Sequence, residues 1–342
     1  MSTSAPVLEV NNLQTVFDTP RGAVRAVDGV SVELRAGDTL GLVGESGSGK
    51  SVLGRTLMGL ITSSPTTTVS GEVRIAGQSV HELSAGQRRR LWGQQIAMIF
   101  QDPMTSLNPV RTIGAHLSDP LRRQLGLDRQ TTEQRSIELL DRVGIPEPKR
   151  RLRQYPHELS GGMRQRVMIA IALSCDPAIL IADEPTTALD VTVQKQILDL
   201  LAELATERQM ATILISHDLG AIAGRSNQVA VMYAGRVVEQ SPTAELFAHP
   251  HHPYTEALIA SAPELQLPPH TQLRAIDGQP PDMANPPAGC RFAPRCTRAV
   301  AHCTEVSPEL LAIDGAPGRA VACHLPLELP ARIQVATGGR VN

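Results

Sequence analysis

Gly44-Glu45-Ser46-Gly47-Ser48-Gly49-Lys50-Ser51 decides the fold. The stretch matches the phosphate-loop pattern G-x-x-x-x-G-K-[ST]. An apolar run, Thr39-Leu40-Gly41-Leu42-Val43, precedes it, and a helical pattern, Val52–Leu60, follows. That strand–loop–helix setting is what the pattern needs. The glycines let backbone N–H groups turn inward around β- and γ-phosphates, and the helix start adds positive potential there. Lys50 supplies a mobile cation, and the Ser51 hydroxyl can bind Mg²⁺. Only three lysines (Lys50, Lys149, Lys195) stand among the 32 basic residues, so chance occurrence is on the order of a few in a thousand.

Outward from this loop, Ala178-Ile179-Leu180-Ile181-Ala182 and Ala211-Thr212-Ile213-Leu214-Ile215 repeat the pattern of the preceding apolar run. Such runs fit parallel strands covered on both faces. Val191–Ala205 lies between them, with Val193, Ile197, Leu200, Leu201 and Leu204 at helical spacing. Strand–helix alternation predicts an α/β fold. Val7–Val10, Val30–Leu34 and Val73–Ile75, broken by Gly22, Gly37, Gly71 and Gly77, predict short strands of a small antiparallel sheet beside the main one.

The chain of 342 residues is 42% hydrophobic and 19% charged, which excludes disorder as the default state. Its net charge of −2 argues against a nucleic-acid partner. No apolar run approaches about 18 residues, and MSTSAPVLEV lacks the basic and apolar regions of a secretory signal, so a cytoplasmic location is expected. Eleven of the 26 prolines fall in residues 1–241 and 15 in residues 242–330. A regular domain followed by an irregular extension is expected, with a loose tail from about 331.

The run Ile179–Ala182 ends in Asp183-Glu184. One carboxylate at a strand tip can hold Mg²⁺, and its neighbour can polarise an attacking water. Leu159-Ser160-Gly161-Gly162-Met163 opens a second helical run, Arg166–Leu173, where Ser160 can cap and two glycines bare the backbone donors. One nucleotide does not need two such sites from one chain; two facing chains would use both.

These motifs in this order resemble the ATP-binding subunit of ATP-binding-cassette (ABC) transporters over about residues 7–245. The order is phosphate loop, a glutamine loop at Gln101, the LSGGM signature, Asp183-Glu184, the D-loop Ala188-Leu189-Asp190 and a switch histidine at His217. The resemblance implies a RecA-like parallel core with an antiparallel β subdomain and a helical subdomain at about 102–158. It also implies two cassettes packed head to tail around two ATP molecules. Lys50 and Ser51 of one chain would then face the partner's signature, and Ser160, Gly161 and Gly162 would bind the γ-phosphate held by the partner. Glu184 is implied as catalytic base and His217 as a γ-phosphate contact. Gln101 would contact Mg²⁺ or the water, Asp190 would join the two sites, and Phe17 would stack on adenine.

Phe100–Pro109, Tyr155-Pro156-His157, DEPTTA from Asp183, Ala248–Thr255 and GCRFAPRC at Gly289–Cys296 resemble the oligopeptide/dipeptide importer branch. That branch uses two different ATPases, two permeases and an extracytoplasmic solute-binding protein, and LSGGMRQRVMIA resembles its D-type subunit. An F-type partner, a place on the cytoplasmic face of the membrane and peptide cargo are implied. Nickel chelates, glutathione or another small solute are the alternative cargo; a soluble ABC protein of DNA repair or translation is the competing class. A non-hydrolysing regulatory subunit is a third reading. Lys149-Arg150-Arg151 and Arg88-Arg89-Arg90 read as solvated faces, and the proline-framed His249, His251 and His252 as a rigid linker.

Residues 246–330 carry four of the five cysteines: Cys290, Cys296, Cys303 and Cys323. The spacing x5, x6, x19 is neither a zinc-finger nor a bacterial ferredoxin run. A proline-rich segment with little core gains stability from a metal, and four thiolates suit Zn²⁺ or an iron–sulfur centre; plain thiols are the third reading. The branch resemblance implies a [4Fe–4S] cluster.

Overall fold

A strand with no polar side must be covered on both faces, and its alternate side chains then enter two different cores. The computed structural model, which describes residues 5–102, 106–186, 189–261 and 276–327, shows this arrangement. Strands β3 (Thr39–Val43), β6 (Ile96–Ile99), β7 (Ile179–Asp183), β8 (Ala211–Ser216) and β9 (Gln228–Tyr233) form a parallel array in the order β9-β3-β8-β7-β6. Ile179 and Ile181 point into one core, whereas Leu180 and Ala182 point into the other.

The first core lies under α1 (Lys50–Leu57) and a four-stranded antiparallel sheet. That sheet contains β1 (Leu8–Thr19), β2 (Gly22–Leu34), β4 (Thr67–Ile75) and β5 (Gln78–Ser79), in the order β2-β1-β4-β5. The strands are longer than the short runs expected. Gly71 does not break β4; it lies opposite the register shift at Asn11–Gln14, where a bulge absorbs the irregularity. Helix α1 also starts at Lys50 rather than Val52, because the phosphate loop winds directly into its first turn.

The second core lies under helices. After α2 (Ala85–Leu91) and β6 come α3 (Ile113–Leu125), α4 (Arg129–Arg142), α5 (Pro148–Arg151) and α6 (Gly161–Ala172). Ile113, Leu117 and Leu121 recur every fourth residue and bury one face of α3. Thr112 caps its start by accepting from the Ala115 N–H, and Gly126, at φ 67°, ends it. Helix α6 begins five residues before the expected Arg166, because Ser160 caps it by accepting from the Met163 N–H. Helix α7 (Val191–Glu207) and α8 (Leu219–Ile222) complete this layer. No helix among the described residues is long and apolar enough to cross a membrane.

The C-terminal extension joins the main sheet. Strand β10 (Arg236–Pro242) pairs antiparallel with β9; β11 (Leu311–Ala312) and β12 (Ala320–Val321) continue beyond it. Between them lie α9 (Thr243–Ala248), α10 (Pro253–Ala260) and α11 (Ala301–Glu305). The proline-framed histidines differ from a linker. His251 and His252 are buried, and their N–H groups donate to the two oxygens of buried Glu239 on β10 at 2.7 and 2.8 Å. His252 Nδ1 accepts from the Tyr254 N–H and caps α10. A carboxylate on a neighbouring strand created this need for donors, and nothing local in His-His-Pro reveals it. Pro103, Met104, Thr105, Ala188 and the tail from 331 lie outside the described residues.

Candidate active site

Parallel strands in register deliver their following loops to one edge of the sheet, where open α/β sheets bind ligands. Four sequence-predicted elements meet there: the loop after β3, Gln101 after β6, Asp183-Glu184 at β7 and His217 after β8. Two glycines make the loop after β3 feasible. Gly44 sits at φ 152°, where a Cβ would lie 2.1 Å from the Met232 carbonyl oxygen. Gly49 sits at φ 101°, where a Cβ would lie 2.0 Å from the Ala26 carbonyl oxygen. Lys50, 4% exposed, donates to the carbonyls of Gly44 (2.7 Å) and Glu45 (2.9 Å) and to Ser48 Oγ (3.3 Å). Burial pushes its ammonium below the ordinary lysine range, opposed by Glu184, Asp183 and Glu45.

Ser51 Oγ donates to Asp183 Oδ1 at 2.8 Å. Asp183 is fully buried, and its Oδ2 has no hydrogen-bond partner. Burial raises its carboxyl above the usual carboxylate range despite the Ser51 bond. A hydroxyl beside a buried carboxylate with a vacant oxygen is a hard-oxygen donor set suited to Mg²⁺. Glu184 follows at φ 45°, a left-handed backbone that a non-glycine residue adopts at a cost. Its Oε2 accepts from Gln101 Nε2 at 3.0 Å and lies 3.2 Å from His217 Nδ1. Thus Gln101, Glu184 and His217, scattered over more than a hundred residues, form one cluster.

Phe17 is half-buried on β1, in register with Val24 of β2 and Thr67 of β4. Asp190 caps α7 through the Val193 N–H at 3.0 Å. Ser160 and Gly161 are exposed and Gly162 is half-buried, and Ser160 Oγ accepts from the Met163 N–H within its own helix. Ser46 and Gly47 are exposed at the loop's crest, whereas Ser48 is buried beneath it.

The four late cysteines line one small cavity, together with His252 and His324. They are free thiols. Burial pushes Cys323 up to about 11 and also raises Cys290. Convergence alone does not make a ligand set: no group of three or more His, Cys, Asp or Glu side chains is arranged to hold a metal ion among the described residues.

Sequence reasoning missed an aromatic cluster behind the phosphate loop. Tyr233, Tyr254 and Phe292 pack with ring centroids 4.6 to 5.3 Å apart. The chain has only four Phe, three Tyr and one Trp, so three of eight aromatics meet here. Their scarcity was the available signal.

The ABC transporter family profile matches residues 27–187, and that of the oligopeptide/dipeptide transporter C-terminal region matches residues 238–303. A putative peptide import ATP-binding protein of Brucella abortus (strain 2308) is 49% identical over 327 residues, 95% of this chain and 97% of its own. A probable peptide ABC transporter ATP-binding protein of Sinorhizobium fredii is 46% identical over 317 residues, 93% and 94% of the two chains. The ATP-binding cassette MJ0796, solved as a dimer with ADP and Pi, aligns with TM-score 0.63 and 26% identity over 69% of this chain and 98% of its own. The cbiO1 subunit of the Clostridium perfringens cbiONQ transporter aligns with TM-score 0.61 and 28% identity over 72% and 92%. With the phosphate loop, the bond from Ser51 to buried Asp183 and the Glu184 cluster on one sheet edge, these similarities place the chain in the ABC transporter family, as an ATPase subunit carrying the oligopeptide/dipeptide transporter C-terminal region.

Proposed function

We propose that this chain is the ATP-hydrolysing subunit of a peptide importer, bound peripherally to its permeases on the cytoplasmic side of the membrane. The supporting observation is the split of its anion-binding parts. The phosphate loop, Asp183, Glu184, Gln101 and His217 share one sheet edge, while the Ser160-Gly161-Gly162 turn, exposed at its first two residues, opens a helix elsewhere. A second cassette turned head to tail supplies each turn to the other's nucleotide.

In this site Lys50 and N–H groups of the loop Gly44–Ser51, other than that of Glu45, which donates to Tyr254, hold the triphosphate. Ser51 and Asp183, with Gln101, would hold Mg²⁺, which would supply neutralisation of the charge building on the phosphate oxygens. Glu184 takes a proton from the attacking water, and His217, already against Glu184, contacts the γ-phosphate. Gln101 reports the ligand's arrival through its bond to Glu184 Oε2, which couples it to the carboxylate that takes the proton. Phe17 stacks on adenine, and Asp190 links the two composite sites.

The partners proposed are an F-type ATPase subunit, two permeases and an extracytoplasmic solute-binding protein; the chain itself is the D-type subunit. Its divisions are 7–245 for the cassette, with a helical part at about 102–158, and 246–330 for the extension. For the four-cysteine cavity we propose a [4Fe–4S] cluster, with Zn²⁺ as the alternative. Four free thiols on one cavity support it; the lack of a ready ligand set among the described residues opposes it. Iron, zinc and acid-labile sulfide analysis of anaerobically purified chain decides: metal-free protein removes the cluster and leaves the ATPase reading intact. The ATPase reading is tested in the reconstituted complex, where peptide presented by the solute-binding protein must stimulate hydrolysis and Glu184→Gln must lower it by about 10²–10⁴-fold. Hydrolysis indifferent to peptide but raised by a nickel chelate would replace the cargo.

A further inference from the structure

The phosphate loop carries a carboxylate, Glu45, in its second position. A negative charge beside a bound triphosphate opposes binding unless it is neutralised and held aside. The extension meets this need. Arg295, in a 3₁₀ turn at Ala293–Arg295, donates Nη1 to Glu45 Oε2 at 2.7 Å and Nη2 to Oε1 at 3.0 Å. Two parallel charged bonds fix direction as well as distance. The Arg295 side chain is only 3% exposed. Its guanidinium carbon lies 5.8 Å from the Tyr233 ring centre and 6.0 Å from that of Phe292. Nε and Nη2 also donate to the Asp277 and Ile276 carbonyls at 2.9 and 3.1 Å. Its charged form is favoured first by the Glu45 bonds.

The backbone of Glu45 is gripped as well. Its N–H donates to Tyr254 Oη at 2.9 Å, and its carbonyl accepts from Lys50. Tyr254 is fully buried on α10, packed between Tyr233 and Phe292. The extension therefore holds the side chain and the N–H of one residue whose neighbours cradle phosphate.

We propose that Arg295 is a positioning residue for ATP, assisted by Tyr254: it neutralises Glu45 and fixes the phosphate loop in its binding shape. The C-terminal extension is thus part of the nucleotide site of its own chain. The proposal rests on ATP binding at the phosphate loop and is independent of cargo and of any metal on the cysteines.

The experiment is calorimetric titration of the full-length chain with MgATP, paired with kcat and KM for ATP in the assembled complex. Arg295→Ala is expected to raise Kd roughly tenfold or more. KM should rise in parallel while kcat stays within about threefold, because Arg295 touches none of Gln101, Glu184 or His217. Arg295→Lys should recover part of the affinity, since it restores charge without the two-point bond. The deciding variant is Arg295→Ala combined with Glu45→Gln. Removing the carboxylate removes the repulsion, so affinity should return to within about twofold of Glu45→Gln alone. Tyr254→Phe leaves the ring packing in place and should weaken binding by a smaller factor. Unchanged Kd in Arg295→Ala, or a double variant as weak as Arg295→Ala alone, would overturn the proposal. Failure of the wild-type chain to bind MgATP would overturn the ATPase reading with it.

Discussion

Two helix N-termini in this chain present bare backbone donors, and they differ in everything around them. At α1 the donors sit in a loop whose lysine is buried and whose serine is bonded to a buried aspartate. At α6 they sit behind an exposed serine and glycine, with the Ser160 cap as the local support. The first is assembled by its own chain; the second is left on the surface. A folded chain leaves such donors to water or to a partner, and the proposed second cassette is the partner that would take them.

The contrast is open to attack, most forcefully at Glu184. Glu184→Gln should lower turnover of the assembled complex by about 10²–10⁴-fold while MgATP binding persists. Rapid-quench hydrolysis assays beside nucleotide binding check both halves. Unchanged turnover would move the base elsewhere and return the non-hydrolysing reading.

The next effect tests how firmly the extension belongs to the fold. Burial holds His252 at about 4, against an ordinary value of 6.5. Below 6.5 the unfolded chain takes up a proton that the folded chain excludes, so stability is fully present above that value and falls as pH drops toward 4. The full loss is roughly 3 kcal/mol. Denaturant midpoints between pH 7 and pH 4 should show it, and His252→Asn, which keeps an acceptor for the Tyr254 N–H, should flatten the curve. A pH-independent difference between the two proteins would mean that the histidine is not sealed in.

Smaller still is Ser160→Ala, which removes the cap of α6 at about 1 kcal/mol of stability. MgATP affinity of the isolated chain should not change if, as proposed, this turn serves the partner's nucleotide; a fall in that affinity would collapse the distinction between the two termini. The mildest test is Val191→Ser, at the first turn of α7 beside Asp190. Val191 is 82% exposed, so stability should shift by less than about 0.5 kcal/mol. ATP-dependent dimerisation by sedimentation, in a Glu184→Gln background, should nevertheless weaken if this face meets the second cassette.

Much of the nucleotide site was legible because its parts are local. Gly44–Ser51 must be a loop between strand and helix, and Ser160 followed by two glycines must open a helix. Asp183-Glu184 ends a run too apolar to be anything but a buried strand. Strand lengths were less legible: Gly71 reads as a breaker until the register shift at Asn11–Gln14 shows a bulge. The histidines at 251 and 252 misled for the same reason, since the Glu239 oxygens that bind their N–H groups come from strand β10, outside the local His-His-Pro stretch.

By itself the order of residues determined that this chain carries a phosphate-loop pattern at a helix start and two acidic residues at a strand tip, and folds as strand–helix alternation. Those properties need only neighbours in sequence, because backbone conformation, capping and apolar period are short-range. Tertiary structure alone decided that Gln101 and His217 meet on one oxygen of Glu184, and that Arg295 crosses 250 positions to clamp Glu45. Such meetings depend on which loops a shared sheet edge brings together, and strand order is set by the packing of both cores at once.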